Sequence, residues 1–349
     1  MNIINLTKYI IRPASYGVMI AVALLLLVPE LRTNTLQVLQ STQQQQQPLS
    51  YAKAVSTASP AVVNIYSEEI STSPVYGAKA KRSTRLGSGV IMESEGYILT
   101  NFHVVQNADL ILVLLQNGQR FPAELIGYDT YTDLAVLKVD TSNLPVIPQR
   151  ANLQSLAGDV VLAIGNPLNL GQTVTQGVIS ATGRSGLSVI NYLELLQMDA
   201  AINDGNSGGA LINTNGELVG INSRKFTNKE RNIQGIFFAV PYSLAHKVMR
   251  KIITNGRVIR GYLGVSVNST NDTLKGFTVD DVEDNSPAFK AGVKPGDIVY
   301  QINNVEINSF TQALDIIAET KPGTTLPFKL IRKKQLLEVS VTISENRKN

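Results

Sequence analysis

The run Asp204-Gly205-Asn206-Ser207-Gly208-Gly209 sets one serine among glycines, and the chain has only two histidines to activate it. A serine hydroxyl attacks a carbonyl near neutral pH only with a base in hydrogen-bond reach and a third group to hold that base. His103 is the expected base, since imidazole can change charge in the physiological range. Asp133, 30 residues further on, is the expected orienter. Its carboxylate would hold the ring's tautomer while Ser207 attacks a peptide carbonyl. The backbone amides of Gly205, Asn206 and Ser207 are predicted to converge on the resulting oxyanion, where one lost donor costs about 3–4 kcal/mol of transition-state stabilisation. Gly208 and Gly209 let backbone pack closely behind the serine. Six residues before Ser207 stands Ala201, so no carboxylate there selects lysine or arginine. His246 falls off the apolar stripe of its expected helix and is assigned no chemistry.

The elements expected to position these residues are mostly short strands. Ala61–Tyr66, Gly89–Met92, Tyr97–Thr100, Ile111–Leu115, Arg120–Ile126 and Leu134–Val139 read as strands before the serine motif. Asp159–Ile164 and Gln176–Ala181 also precede it, and Ala210–Ile212, Leu218–Ile221 and Gly235–Val240 follow it. Turn pairs such as Asn117-Gly118 and Asn215-Gly216 separate them, which argues for an all-β barrel or sandwich rather than a parallel α/β sheet. Ser67 to Arg85 reads as a polar loop. Pro241 opens an amphipathic helix that ends near Asn255-Gly256. A second unit starts at Tyr262, with strands at Leu263–Val267, Gly276–Val282, Ile298–Ile302, Leu326–Ile331 and Leu337–Ile343 and a helix from Ser309, its predicted N-cap. Tyr262-Leu263-Gly264-Val265 can present amides to a terminal carboxylate beside a groove that accepts an added strand.

The bulk numbers exclude several classes. Lys+Arg is 31 and Asp+Glu 27, a net charge of +4, with no nucleic-acid motif. Cysteine is absent, and no residues group as a metal site or phosphate cradle, so no cofactor or metal is expected. Near the N-terminus, Ala14–Val28 is uncharged and apolar, follows Lys8 and Arg12, and lacks a small-residue cleavage signal. It predicts an uncleaved transmembrane anchor with a cytoplasmic N-terminus. A glutamine-rich tether follows.

Three segments, Thr100-Asn101-Phe102-His103-Val104-Val105, Asp133-Leu134-Ala135-Val136 and Gly205-Asn206-Ser207-Gly208-Gly209-Ala210-Leu211, closely resemble the signature segments of the HtrA family of bacterial serine proteases, as does Ala163-Ile164-Gly165-Asn166-Pro167. The last unit, with Ser286-Pro287-Ala288 and Lys294-Pro295-Gly296-Asp297, resembles a PDZ domain. The resemblance implies a chymotrypsin-like pair of six-stranded β-barrels followed by a PDZ domain, assembled as a homotrimer. It divides the chain into a cytoplasmic stub and anchor (1–32), a linker (33–50), a protease domain (51–256) and a PDZ domain (257–345). It also implies cleavage after small or medium aliphatic side chains. The single PDZ domain and short Ser67–Arg85 segment are similar to the anchored stress-sensor branch of that family. That branch implies a protein of the bacterial inner membrane, with protease and PDZ domains in the periplasm. There C-terminal peptides of misfolded outer-membrane porins bind Tyr262 to Val265, and a transmembrane anti-sigma factor is cut to start an envelope stress response. Ser180–Asn191 is then the sensor loop and Arg184 its regulatory residue.

Overall fold

The computed structural model describes residues 7–27, 50–71, 81–166, 171–184, 195–225, 235–267 and 276–345. Contacts divide the chain into Met1–Tyr51 and Ala52–Asn349.

In the first unit a five-residue π-helical turn, Thr7–Ile11, leads into helix α1, Arg12–Leu27, of 16 residues. At 1.5 Å per residue α1 spans about 24 Å, against a hydrocarbon core of about 30 Å. No helix among the described residues is long and apolar enough to cross a membrane. This corrects the transmembrane anchor expected from Ala14–Val28, and with it the single-pass inner-membrane topology. The expected linker falls almost wholly outside the described residues.

Helix α2, Ala52–Ala58, precedes the first barrel. Strands β1 (Val62–Ser71), β2 (Lys81–Glu93), β3 (Tyr97–Asn101), β4 (Leu110–Leu114), β5 (Arg120–Asp129) and β6 (Leu134–Val139) close in the order β1-β2-β3-β6-β5-β4. Much of the expected polar loop at Ser67–Arg85 is strand instead, with Ser67 paired to Arg85 and Ser71 to Lys81. The second barrel comprises β7 (Val160–Gly165), β8 (Thr173–Arg184), β9 (Leu195–Met198), β10 (Ala210–Asn213), β11 (Leu218–Lys225) and β12 (Phe237–Pro241), closed as β10-β11-β12-β9-β8-β7. Short antiparallel strands of β-branched and aliphatic residues close this way because closure removes the exposed edges of a sheet. Between β3 and β4 lies a four-residue helix, α3, Phe102–Val105. Helix α4, Tyr242–Asn255, buries Tyr242, Ala245, Val248, Met249 and Ile252. It packs on β5 and β6 of one barrel and β11 and β12 of the other.

The last unit opens with β13 (Gly261–Tyr262) and β14 (Val265–Ser266), followed by β15 (Phe277–Thr278), β16 (Asp281–Val282), α5 (Pro287–Lys290), β17 (Ile298–Ile302) and β18 (Val305–Glu306). Helix α6 (Phe310–Glu319), β19 (Thr325–Arg332), β20 (Gln335–Thr342) and β21 (Ser344–Glu345) complete it. Ser309 caps α6, its hydroxyl accepting from the Gln312 amide at 3.1 Å. Phe328, Ile302, Val341 and Ala313 centre a separate apolar core.

Arg260 and two lysines of α4 tie this unit to the preceding barrels and their helix by ion pairs. Arg260 clamps Asp129 with both guanidinium nitrogens and stacks over Tyr131. Arg257 meets Glu345 at 2.7 Å, within the approach to the unit. Lys247 and Lys251 both reach Glu319 at 3.0 Å. The Asp129 side chain is fully buried. Arg260→Ala leaves that carboxylate with Thr132 as its remaining support, and is expected to cost about 3–5 kcal/mol, measurable by urea unfolding.

Glu319 responds to pH in the opposite sense to a merely buried acid. Burial raises its pKa, but the bonds from Lys247 and Lys251 outweigh burial and hold it below the ordinary carboxylate range. A carboxyl lowered in the folded state adds stability above its unfolded pKa and loses that contribution as pH falls through the folded value. The carboxylate is 47% exposed, so solvent screens the effect and keeps it small. Glu319→Gln is expected to flatten the acid limb of stability against pH, read from urea midpoints between about pH 6 and about pH 3.

Candidate active site

Asp133 sits in the β5–β6 turn with φ +54°, a left-handed backbone that aspartate tolerates better than most residues. Its main chain and side chain together hold α3. The Asp133 carbonyl accepts from the Phe102 amide and the Asn101 side-chain amide, both at 2.9 Å. One carboxylate oxygen accepts from the His103 backbone amide at 3.0 Å, and the other meets His103 Nδ1 at 2.6 Å. Asp133 is largely buried and the imidazole half-exposed. The ring thus presents its remaining nitrogen, Nε2, for proton transfer.

Ser207 lies on the loop leading into β10, in the other barrel. Two residues absent from the sequence-based site fasten this loop to the first barrel. The Ser88 amide donates to the Ser207 carbonyl at 2.9 Å, and the Ser88 hydroxyl donates to the Gly205 carbonyl at 2.7 Å. Thr100, on the strand leading to His103, donates to the Ser88 carbonyl at 2.7 Å. Gly208 makes this seam possible. It has φ +81°, and a Cβ there would stand 2.2 Å from the Ser88 carbonyl oxygen. The signal for Ser88 and Thr100 was weak, because a small hydroxyl residue in a strand has many ordinary uses.

The Ser207 hydroxyl donates to the Ser223 carbonyl at 3.0 Å. Among the described residues it makes no bond to His103, so transfer of its proton requires the hydroxyl to turn towards the ring; such bonds often tighten only with substrate bound. Of the three amides expected around an oxyanion, that of Asn206 is already engaged, donating to the Asn203 carbonyl at 3.0 Å. That leaves the amides of Gly205 and Ser207 as the candidates for that role. Gly205 has φ +103°, a backbone conformation open to glycine.

Arg184 ends β8, paired with Leu195. The rest of the expected sensor loop, from 185 to 191, lies outside the described residues. His246 is half-buried against Tyr242, with ring centroids 5.7 Å apart. Tyr262 to Val265 form the turn between β13 and β14, with Gly264 at φ +81° against Ser286. The Tyr262 hydroxyl donates to Glu283. Burial, reinforced by that bond, pushes the phenol above its usual range and keeps it a donor. Among the described residues no side chains group as a metal site.

Two closed six-stranded barrels, with a histidine–aspartate pair on one and a glycine-flanked serine on the other, define a chymotrypsin-like serine endopeptidase, here joined to a PDZ domain. The trypsin-like peptidase domain family matches residues 87–221, and the PDZ domain family residues 261–343. Serine endoprotease DegS of Haemophilus influenzae is 47% identical over 299 residues, covering 85% of this chain and 88% of the relative. DegS of Escherichia coli strain K12 is 44% identical over 349 residues, 96% and 98% of the two chains. Among solved structures, the serine endoprotease from Yersinia pestis matches with TM-score 0.72 and 49% identity, covering 86% of this chain and 99% of that one. The HtrA-type protease AlgW with decapeptide matches with TM-score 0.78 and 40% identity, covering 86% and 100%. The chain belongs to the HtrA family of serine endoproteases.

Proposed function

We propose that this chain is a peptide-regulated serine endopeptidase in which Ser207 is the nucleophile, His103 the general base and Asp133 its orienter. The amides of Gly205 and Ser207 stabilise the tetrahedral oxyanion. The observation that carries this reading is the doubly bonded His103–Asp133 pair, set across a Ser88-fastened seam from the Ser207 loop. The protease domain ends at about Gly256, the left-handed C-cap of α4. The PDZ domain that follows takes free protein C-termini against Tyr262, Leu263, Gly264 and Val265, as strand addition to β14 beside α6. A solved HtrA-type relative carries a decapeptide, which supports peptide recognition here.

The physiological peptides are the C-termini of misfolded outer-membrane porins, and the enzyme works as a homotrimer. Its substrate is an anti-sigma factor whose cleavage starts the envelope stress response. The peptide activates by binding the working form more tightly than the resting one. Arg184, at the end of β8, carries that bias, so Arg184→Ala lowers peptide activation while leaving peptide affinity for the PDZ domain nearly unchanged.

The test is proteolysis of a purified anti-sigma fragment, with and without synthetic decapeptides ending in an aromatic residue. Peptide-dependent cleavage is expected. Cleavage at the same rate across a full peptide titration would refute regulation, and no cleavage under any condition would refute the substrate.

A further inference from the structure

We propose that Tyr128 is a positioning residue that sets the His103–Asp133 geometry by stacking on Phe102. The proposal rests on the protease reading above and deepens it.

The argument begins with how little holds His103 from within its own element. Helix α3 is four residues long, and its N-cap, Asn101, makes no side-chain capping bond. So short a helix has almost no stability of its own. Val104 and Val105 are buried and anchor its far end. At the near end Phe102 precedes His103 directly, and its half-buried ring needs an apolar neighbour.

That neighbour is Tyr128. The two ring centroids are 4.1 Å apart and the planes 12° from parallel. Aromatic pairs at this separation attract beyond simple area burial. Tyr128 belongs to the same hairpin as Asp133: it pairs with Ala135, and Asp129 pairs with Leu134. A bulge between Leu125 and Gly127 comes just before it, the device by which a strand re-aims a side chain near a site.

The stack therefore joins the turn carrying the imidazole to the hairpin carrying the carboxylate. It lies alongside the hydrogen bonds from Phe102 and His103 to Asp133 and opposes rotation about them. The ring face does this, not the hydroxyl. Tyr128 is 44% exposed, so trimming its side chain disturbs little of the barrel core.

The test uses the full-length protein with a saturating synthetic decapeptide ending in phenylalanine. The substrate is an N-blocked peptide thiobenzyl ester ending in valine. Tyr128→Ala is expected to lower kcat by about 10- to 100-fold, the scale on which small misplacements act, with KM within about twofold of the parent. Tyr128→Leu, which keeps apolar cover but has no ring face, is expected to lose kcat similarly, and guards against a folding defect in the alanine variant. Tyr128→Phe keeps the ring and is expected to retain kcat within about twofold. Because the two rings act as one device, Phe102→Ala with Tyr128→Ala is expected to be no slower than the worse single variant.

Unchanged kcat in both Tyr128→Ala and Tyr128→Leu would overturn the proposal. So would a raised KM at unchanged kcat, which would place Tyr128 against the substrate instead. If Ser207→Ala hydrolysed the ester as fast as the parent, the protease reading itself would fall, an outcome separate from any behaviour of Tyr128.

Discussion

Replacing Ser207 with alanine is expected to lower kcat by about 10⁶-fold, the scale seen when the nucleophile of such a triad is removed, and to abolish labelling by a fluorophosphonate. The fold should survive. Among the described residues the hydroxyl makes one hydrogen bond, to the Ser223 carbonyl, and an ordinary bond of this kind contributes about 1 kcal/mol net. The loop is held instead by its main chain: the Ser207 carbonyl accepts from Ser88, and the Gly208 amide donates to Asn222 at 2.8 Å. Unchanged hydrolysis in a correctly folded Ser207→Ala protein would remove the serine from the chemistry altogether.

Asp133→Asn is expected to cost about 10⁴-fold in kcat at nearly unchanged melting temperature. Asparagine has the same shape and tolerates the left-handed backbone recorded at this position, φ +54°. The Asp133 carbonyl, which holds Phe102 and Asn101, is unaffected. What changes is the partner of His103 Nδ1. A carboxylate oxygen accepts a proton from that nitrogen, whereas an amide NH₂ donates one to it. The ring then carries its proton on Nε2 and cannot act as a base there. Steady-state kinetics beside a thermal melt separates this from unfolding; a loss below about tenfold would assign Asp133 to structure alone.

Much of the architecture was legible in the chain. The strand read at Ile111–Leu115 forms over Leu110–Leu114, with Ile111 and Val113 buried and Leu112 and Leu114 half-buried, and α4 buries Val248, Met249 and Ile252 of the apolar stripe its spacing marked, leaving Leu244 half-buried. Ser309 caps α6 as read. Gly276–Val282, read as one strand, instead divides into β15 and β16, because Val279 turns into the core while its amide donates to Asp297. The polar loop at Ser67–Arg85 failed for a related reason. Charged residues on a paired hairpin leave no apolar alternation to read, yet their backbones still form a ladder. The apolar N-terminal run showed the opposite failure: composition marked a membrane span, while the helix described there, Arg12–Leu27, has 16 residues and is not long and apolar enough to cross a membrane.

By itself the sequence singled out the candidate reacting groups, their order along the chain and the double-barrel-plus-PDZ class of fold, because a serine flanked by glycines and runs of short apolar strands are local properties. Ser88, Thr100, Asp129, Arg260 and the Phe102–Tyr128 stack became visible only in the tertiary structure. Each acts through a partner at least a dozen residues away, and no spacing rule relates two points brought together by closing a barrel.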